Sequence, residues 1–162
     1  PEPVIDKNFA ENQLMEIAEH FIPEILNTSK TTKQIFQDCA PEERHDKFLK
    51  LFQLVAKKWM NEELDLSKKN FEGFSMFRKR IADVLRFIQA NLSNKSNIMI
   101  VSSGGSISGV YAEVIECTQE DIMKLNFGIK NVSISEFEMT TERFTLQAFN
   151  SSLIPKELET FI

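Results

Sequence analysis

The chain is poor in the residues that carry most catalytic chemistry and most covalent cross-links. Its 162 residues include two cysteines and two histidines. Cys39 and Cys117 lie far apart in the sequence, so we expect reduced thiols rather than a disulfide framework. His20 and His45 form no short spacing with each other or with a cysteine, and the sequence therefore has no metal-site signature. We expect no metal and no other cofactor.

Two further absences limit the partners that the chain is expected to have. The formal net charge of −5 and the pI of about 5.2 argue against a broad nucleic-acid footprint, which needs clustered lysine and arginine. No apolar run approaches the roughly 20 residues that cross a bilayer, and no segment has the pattern of a signal peptide. The sequence therefore predicts a cytoplasmic protein that binds neither nucleic acid nor membrane.

Phenylalanine is abundant in the chain, whereas tryptophan and tyrosine are scarce. There are 14 phenylalanines against one tryptophan and one tyrosine, and hydrophobic residues make up 42% of the chain. Because phenylalanine has no polar group, this composition predicts a large apolar core. The length suits a single domain spanning residues 1–162.

Apolar residues at helical spacing predict three helices in the first 92 residues. The first covers about 12–26, and Pro23 inside the pattern is expected to kink or split it. The second begins near Pro41 and has an apolar stripe over 48–59. The third, over 74–92, holds the three-and-four spacing longest, and its prediction is therefore the strongest.

The most informative stretch is residues 98–114, IMIVSSGGSISGVYAEV. Ile98–Val101 is an apolar run bounded by turn residues, which favours a strand buried on both faces, and a helical stripe follows it. Gly104 and Gly105 let the backbone approach a ligand, while the helix directs N–H groups and its positive dipole end to the same place. We therefore predict that Ser103, Gly104 and Gly105 bind phosphate. The alternative is that the glycines only make the turn.

The last 45 residues predict a short helix and a hairpin. Thr118, with Asp121 three residues later, resembles a helix cap, and the helix is expected to run to about Leu125. Alternating apolar and polar residues predict two strands that turn around 140–142, and the alternation slips near Phe137.

Ser103 lacks the surroundings of a serine nucleophile. The Gly-x-Ser-x-Gly pattern is absent, because residues 101–105 read Val-Ser-Ser-Gly-Gly. A serine nucleophile also needs a base, and nothing marks His20 or His45 as its partner. The Walker and three-glycine dinucleotide patterns are absent too, so a serine hydrolase and a nucleotide-binding loop are both disfavoured.

Residues 98–105 resemble the second-histidine motif of the histidine phosphatase superfamily, also called the phosphoglycerate mutase-like family. There, an apolar strand is followed by Val-Ser-His-Gly-Gly. The resemblance continues on both sides: residues 71–81 resemble the preceding helix, 125–137 the segment entering the next strand, and 150–153 the closing Asn-Asp-x-x-His-Leu stretch. Residues 71–154 therefore match in order and spacing.

The resemblance implies a three-layer α/β/α sandwich of phosphoglycerate mutase-like type, with a helical insert at about 12–70. The mostly parallel sheet would be incomplete or remodelled. Three explanations for this remain open: an omitted N-terminal segment, a second copy or another polypeptide that completes the sheet, or a domain rebuilt around extra helices. The family implies binding or hydrolysis of phosphate esters, so the implied partner is a phosphorylated small molecule or a phosphate ion.

The departures from the family pattern concern the catalytic residues. Ser103 stands where the resemblance places the second catalytic histidine, and serine cannot supply the charge of an imidazolium. No Arg-His-Gly segment is present, and Arg44-His45 lies in a polar helix start, which favours a solvated helix face. Glu11 resembles the family's proton donor, with an exposed helix-entry glutamate as the alternative. These departures predict little catalysis and favour, as an alternative function, a pseudophosphatase that senses a phosphate ligand or mediates a protein interaction.

Overall fold

The computed structural model describes residues 2–28, 41–91, 97–115 and 117–161. The chain divides into a helical unit, Gln13–Phe74, and a mixed unit that joins Pro1–Asn12 to Ser75–Ile162. The predicted insert at 12–70 has nearly the bounds of the helical unit, while a single domain over 1–162 stays a prediction. Cys39 lies outside the described residues.

Two helices, α1 (Leu14–Thr28) and α2 (Arg44–Met60), pack against each other in the helical unit. The buried face of α1 consists of Leu14, Ile17, Ala18, Phe21 and Ile22. Pro23 lies inside α1, which runs through it as one helix, so the proline does not split the helix, and the alternative of a kink stays a prediction. The packed apolar face holds the turns on either side of the proline together, although proline itself donates no hydrogen bond.

Trp59 anchors the loop that leaves α2. A 3-10 turn, Pro41–Glu43, leads into α2 and confirms the helix start predicted near Pro41. The indole Nε1 of Trp59 donates to the carbonyl oxygen of Glu72 at 2.8 Å, and its ring meets Phe74 edge-on at 5.2 Å between centroids. The Glu72 N–H in turn donates to Gln13 Oε1 at 2.8 Å. The end of the loop is therefore fixed by hydrogen bonds that the polar sequence did not reveal.

Side chains join helices α3 (Phe74–Asn91) and α4 (Gly104–Ile115) in the mixed unit. Phe77 on α3 is 2% exposed, and a methyl group at Gly109 on α4 would lie 3.0 Å from Phe77 Cζ. Arg78 donates through Nε to Glu113 Oε1 at 2.7 Å, which adds an ion pair between the same two helices. Glycine at 109 thus leaves room for the Phe77 ring against α4.

Helix α5 (Gln119–Gly128) begins with a capping box between Thr118 and Asp121, as predicted, and ends three residues later than expected. Two antiparallel strands follow, β1 (Ser133–Met139) and β2 (Phe144–Ser152). The register shifts between Ile134 and Glu136 and between Glu136 and Phe137, which confirms the slip predicted near Phe137. Strand β2 packs against α4, with the Tyr111 and Phe149 rings 4.4 Å apart.

Asn150 joins β2 to the turn that follows α5. Its backbone φ is 54°, in the left-handed region that asparagine tolerates better than most residues. Its Nδ2 donates to the Gly128 carbonyl at 2.7 Å, and its Oδ1 accepts from the Lys130 N–H at 2.8 Å. One side chain therefore satisfies two backbone groups of the turn that leads into β1.

The buried strand predicted at Ile98–Val101 is wrong for this structure. The four residues do not form a strand, and they are exposed, at 55%, 86%, 45% and 85% in sequence order. A central strand needs a neighbour on each edge, and the sheet in the described residues is the two-stranded β1–β2 sheet. The described elements are therefore helices and one antiparallel pair of strands, and the mostly parallel sheet stays a prediction.

Candidate functional site

The site is built on the N-terminus of α4. The helix begins at Gly104, and the Ser103 carbonyl accepts from the Ile107 N–H at 3.0 Å, which makes Ser103 the N-cap residue. Gly104, Gly105 and Ser106 are buried. The first N–H groups of a helix have no partner within it and stand at the positive end of its dipole, so this terminus favours an anion.

A carboxylate from the N-terminal segment already stands at this terminus. Glu11 Oε2 accepts from the Gly105 N–H at 3.3 Å, and Glu11 Oε1 accepts from the Asn12 N–H at 2.8 Å. A methyl group at Gly105 would lie 1.9 Å from Glu11 Oε1 and 2.2 Å from Asn12 Nδ2. Glycine at 105 thus leaves the space that the carboxylate occupies, and the structure brings together Glu11 and the predicted phosphate-binding turn.

The Ser103 hydroxyl has an unusual position for an N-cap serine. Such a side chain normally accepts from the second or third N–H of its helix. Here the second N–H, that of Gly105, bonds to Glu11 instead. The Ser103 Oγ is buried and has no hydrogen-bond partner among the described residues. The N-cap hydroxyl of this terminus is therefore unbonded, while the Gly105 N–H of the same terminus bonds to a carboxylate.

Arg80 holds the segment that carries Glu11. Its guanidinium donates to the carbonyl oxygens of Asn8 at 2.6 Å, Ala10 at 3.0 Å and Glu11 at 3.4 Å. A planar guanidinium with five N–H donors suits such a row of acceptors. Sequence reasoning placed Arg80 on a helix and gave it no role, because its partners lie about 70 residues away in the sequence.

Ser102, just before α4, and Ser106, in its first turn, also bond to the segment that carries Glu11. The Ser102 hydroxyl donates to the Phe9 carbonyl at 2.6 Å, and the Ser106 hydroxyl lies 3.1 Å from the Phe9 carbonyl and 2.8 Å from that of Ala10. Sequence reasoning gave neither serine a role. Their bonds fix the backbone just before Glu11 against the start of α4.

No histidine belongs to the mixed unit. His20 lies in α1, with its Nε2 3.7 Å from Glu24, and His45 is exposed near the start of α2, as expected for a solvated helix face.

In the mixed unit, burial raises the pKa of the Cys117 thiol, which disfavours the reactive thiolate. Among the described residues, no group of histidine, cysteine and acidic side chains could hold a metal ion, and no helix is long and apolar enough to cross a membrane.

The sequence model of the histidine phosphatase superfamily (branch 1) matches residues 36–152, more than two thirds of the chain. The chain belongs to the histidine phosphatase superfamily. The match confirms the family resemblance and begins upstream of residue 71, inside the predicted insert. Comparison with curated proteins and with solved structures gave no significant match.

Membership of the histidine phosphatase superfamily gives the chain an α/β fold and a family-level link to phosphate chemistry. The matched range contains Ser103, Gly104, Gly105 and Arg80, whereas Glu11 lies outside it. Contacts in the structure, rather than the family match, therefore bring Glu11 to the α4 terminus.

Proposed function

We propose that this chain binds phosphate esters or the phosphate ion at the N-terminus of α4. The observation that carries the proposal is the Glu11 carboxylate at the Gly105 N–H, because it places an anionic oxygen at this terminus. The buried Ser103 hydroxyl adds a second donor for a phosphate oxygen. Membership of the superfamily supports phosphate as the anion.

The proposed site holds phosphate without transferring it. Transfer to a histidine needs an imidazole at the site, and the mixed unit has none. A Ser103 hydroxyl donates one neutral hydrogen bond, whereas charge-assisted bonds of the kind an imidazolium provides are roughly twice as strong. The absence of histidine favours the second candidate function, a pseudophosphatase that senses a phosphate ligand or mediates a protein interaction.

We also propose that the fold is a three-layer α/β/α sandwich with a mostly parallel sheet. Membership of the histidine phosphatase superfamily, which implies an α/β fold, supports this proposal.

Replacing Gly105 with alanine is expected to weaken binding of inorganic phosphate at least about tenfold, measured by calorimetric titration. The added methyl group would occupy the place of the anionic oxygen, 1.9 Å from the position of Glu11 Oε1. Gly128→Ala is the matched control, because a methyl group there meets nothing within 4 Å. Equal phosphate affinity in the wild type and Gly105→Ala, with both proteins folded, would contradict the proposed site.

The purified chain is expected to hydrolyse a generic phosphomonoester no faster than the buffer blank. Ser103→His is expected to leave this rate unchanged, because the variant supplies one imidazole but no second one to act as nucleophile. Release of inorganic phosphate measures both rates. Turnover well above the blank that disappears in Ser103→Ala would refute the non-catalytic function.

A further inference from the structure

The Glu11 carboxylate occupies the N-terminus of α4, where we propose that phosphate binds. Both need the Gly105 N–H, which Glu11 Oε2 already accepts at 3.3 Å. A phosphate oxygen and a carboxylate oxygen at one helix terminus also repel each other, because like charges a few ångströms apart are unfavourable even near a protein surface. We therefore expect the terminus to bind either the Glu11 carboxylate or a phosphate, but not both at once.

The side chain of Glu11 can leave the terminus while its backbone stays in place, at the loss of its bonds to the Gly105 and Asn12 N–H groups. Glu11 is an exposed residue, so its carboxylate has solvent to rotate into. The backbone beside it is held by the bonds from Arg80 to the carbonyls of Ala10 and Glu11, and by the Ser106 hydroxyl. Displacement of the carboxylate thus needs a rotation of the side chain and no unfolding of the segment.

We infer that Glu11 is an internal competitor, whose carboxylate occupies the α4 terminus in the unliganded chain and which phosphate displaces when it binds. The inference rests on the proposed function, because it concerns the same site. Arg80 is a positioning residue for this competition, since it binds the Glu11 backbone carbonyl while the Glu11 side chain contacts Gly105. The spare Ser103 hydroxyl stays beside the terminus as a donor for the incoming anion.

Titration of inorganic phosphate into the wild type and Glu11→Gln tests the competition directly. Glu11→Gln is expected to bind phosphate about three- to tenfold more tightly, because glutamine retains the size of the side chain and removes the charge at the helix terminus. Glu136→Gln is the matched control: Glu136 is an exposed acid on β1 of the same unit, so its loss changes the net charge equally.

Arg80→Gln separates a positioning role from a general structural one. Releasing the backbone beside Glu11 is expected to tighten phosphate binding about twofold, although the variant loses a positive charge. In the Glu11→Gln background, the same change is expected to give no tightening, because no carboxylate remains to be positioned. Arg86→Gln is the control on α3, where Arg86 pairs with Asp83. A purely structural Arg80 would instead weaken binding in both backgrounds.

The results distinguish the inference from the function on which it rests. Tighter binding in Glu11→Gln, with no change in Glu136→Gln, supports both. Phosphate binding by the wild type that is equal or weaker in Glu11→Gln overturns the competitor and leaves the binding function standing. Absence of phosphate binding in the wild type and in Glu11→Gln overturns the proposed function together with the inference.

Discussion

Replacing Phe77 with alanine is expected to lower the free energy of unfolding by about 3–5 kcal/mol. Phe77 is 2% exposed and lies where α3 meets α4, so its loss leaves a cavity at the contact that positions the anion site. Urea unfolding followed by circular dichroism measures the change. A decrease below about 1 kcal/mol would mean that the contact between α3 and α4 is not as close as described.

Gly109→Ala is the control for this variant. Because Gly109 contacts the Phe77 ring, its effect on the free energy of unfolding is expected to change when Phe77 is replaced. In the wild type, Gly109→Ala places a methyl group 3.0 Å from Phe77 Cζ, and the crowding opposes the gain of about 1 kcal/mol in helix propensity. In the Phe77→Ala background the two ring atoms nearest the methyl group are gone and Ile81 Cγ1 remains at 3.4 Å, so the same methyl group is expected to stabilise the chain. A double-mutant cycle that shows no coupling would contradict this account.

Replacing Asn150 with alanine is expected to lower the free energy of unfolding by about 2–4 kcal/mol. The change removes the partners of the Gly128 carbonyl and the Lys130 N–H, and it leaves alanine at a φ of 54°. Chemical denaturation of the two proteins at one pH measures the difference.

Two further substitutions separate the causes of the Asn150 effect. Asn150→Gly loses the same hydrogen bonds but tolerates the positive φ, so it is expected to be more stable than Asn150→Ala by about 1 kcal/mol. Asn150→Asp keeps an acceptor for the Lys130 N–H and loses the donor to Gly128, so it should fall between the wild type and Asn150→Ala. Equal stability of the alanine and glycine variants would show that the backbone conformation contributes little.

The elements of the mixed unit were predictable because their signals are local. The apolar stripe of α3, the Thr118–Asp121 cap and the alternation of the hairpin each depend on residues within a few positions of one another. The strand expected at Ile98–Val101 failed for the opposite reason. An apolar run of four residues indicates a preference for burial, but burial depends on strands elsewhere in the chain or beyond it.

A helix start near residues 103–105 was predictable from the sequence, but the Glu11 carboxylate bound there was not. The glycines and the helix that follows them already indicated an anion site at residues 103–105. Glu11 lies 94 residues from Gly105 in the sequence, and only the fold brings the two together. Arg80 carried no signal of its role, because it binds backbone carbonyls, which every residue has.

The division of the chain into two units also gives each unit its own chromophore. Trp59 is the chain's only tryptophan and lies in the helical unit, whereas Tyr111, the only tyrosine, lies on α4 of the mixed unit against Phe149. Tryptophan emission therefore follows the helical unit alone. The tyrosine signal, read in a Trp59→Phe background, follows the helix that carries the anion site, so denaturation of the two proteins resolves which unit is lost first.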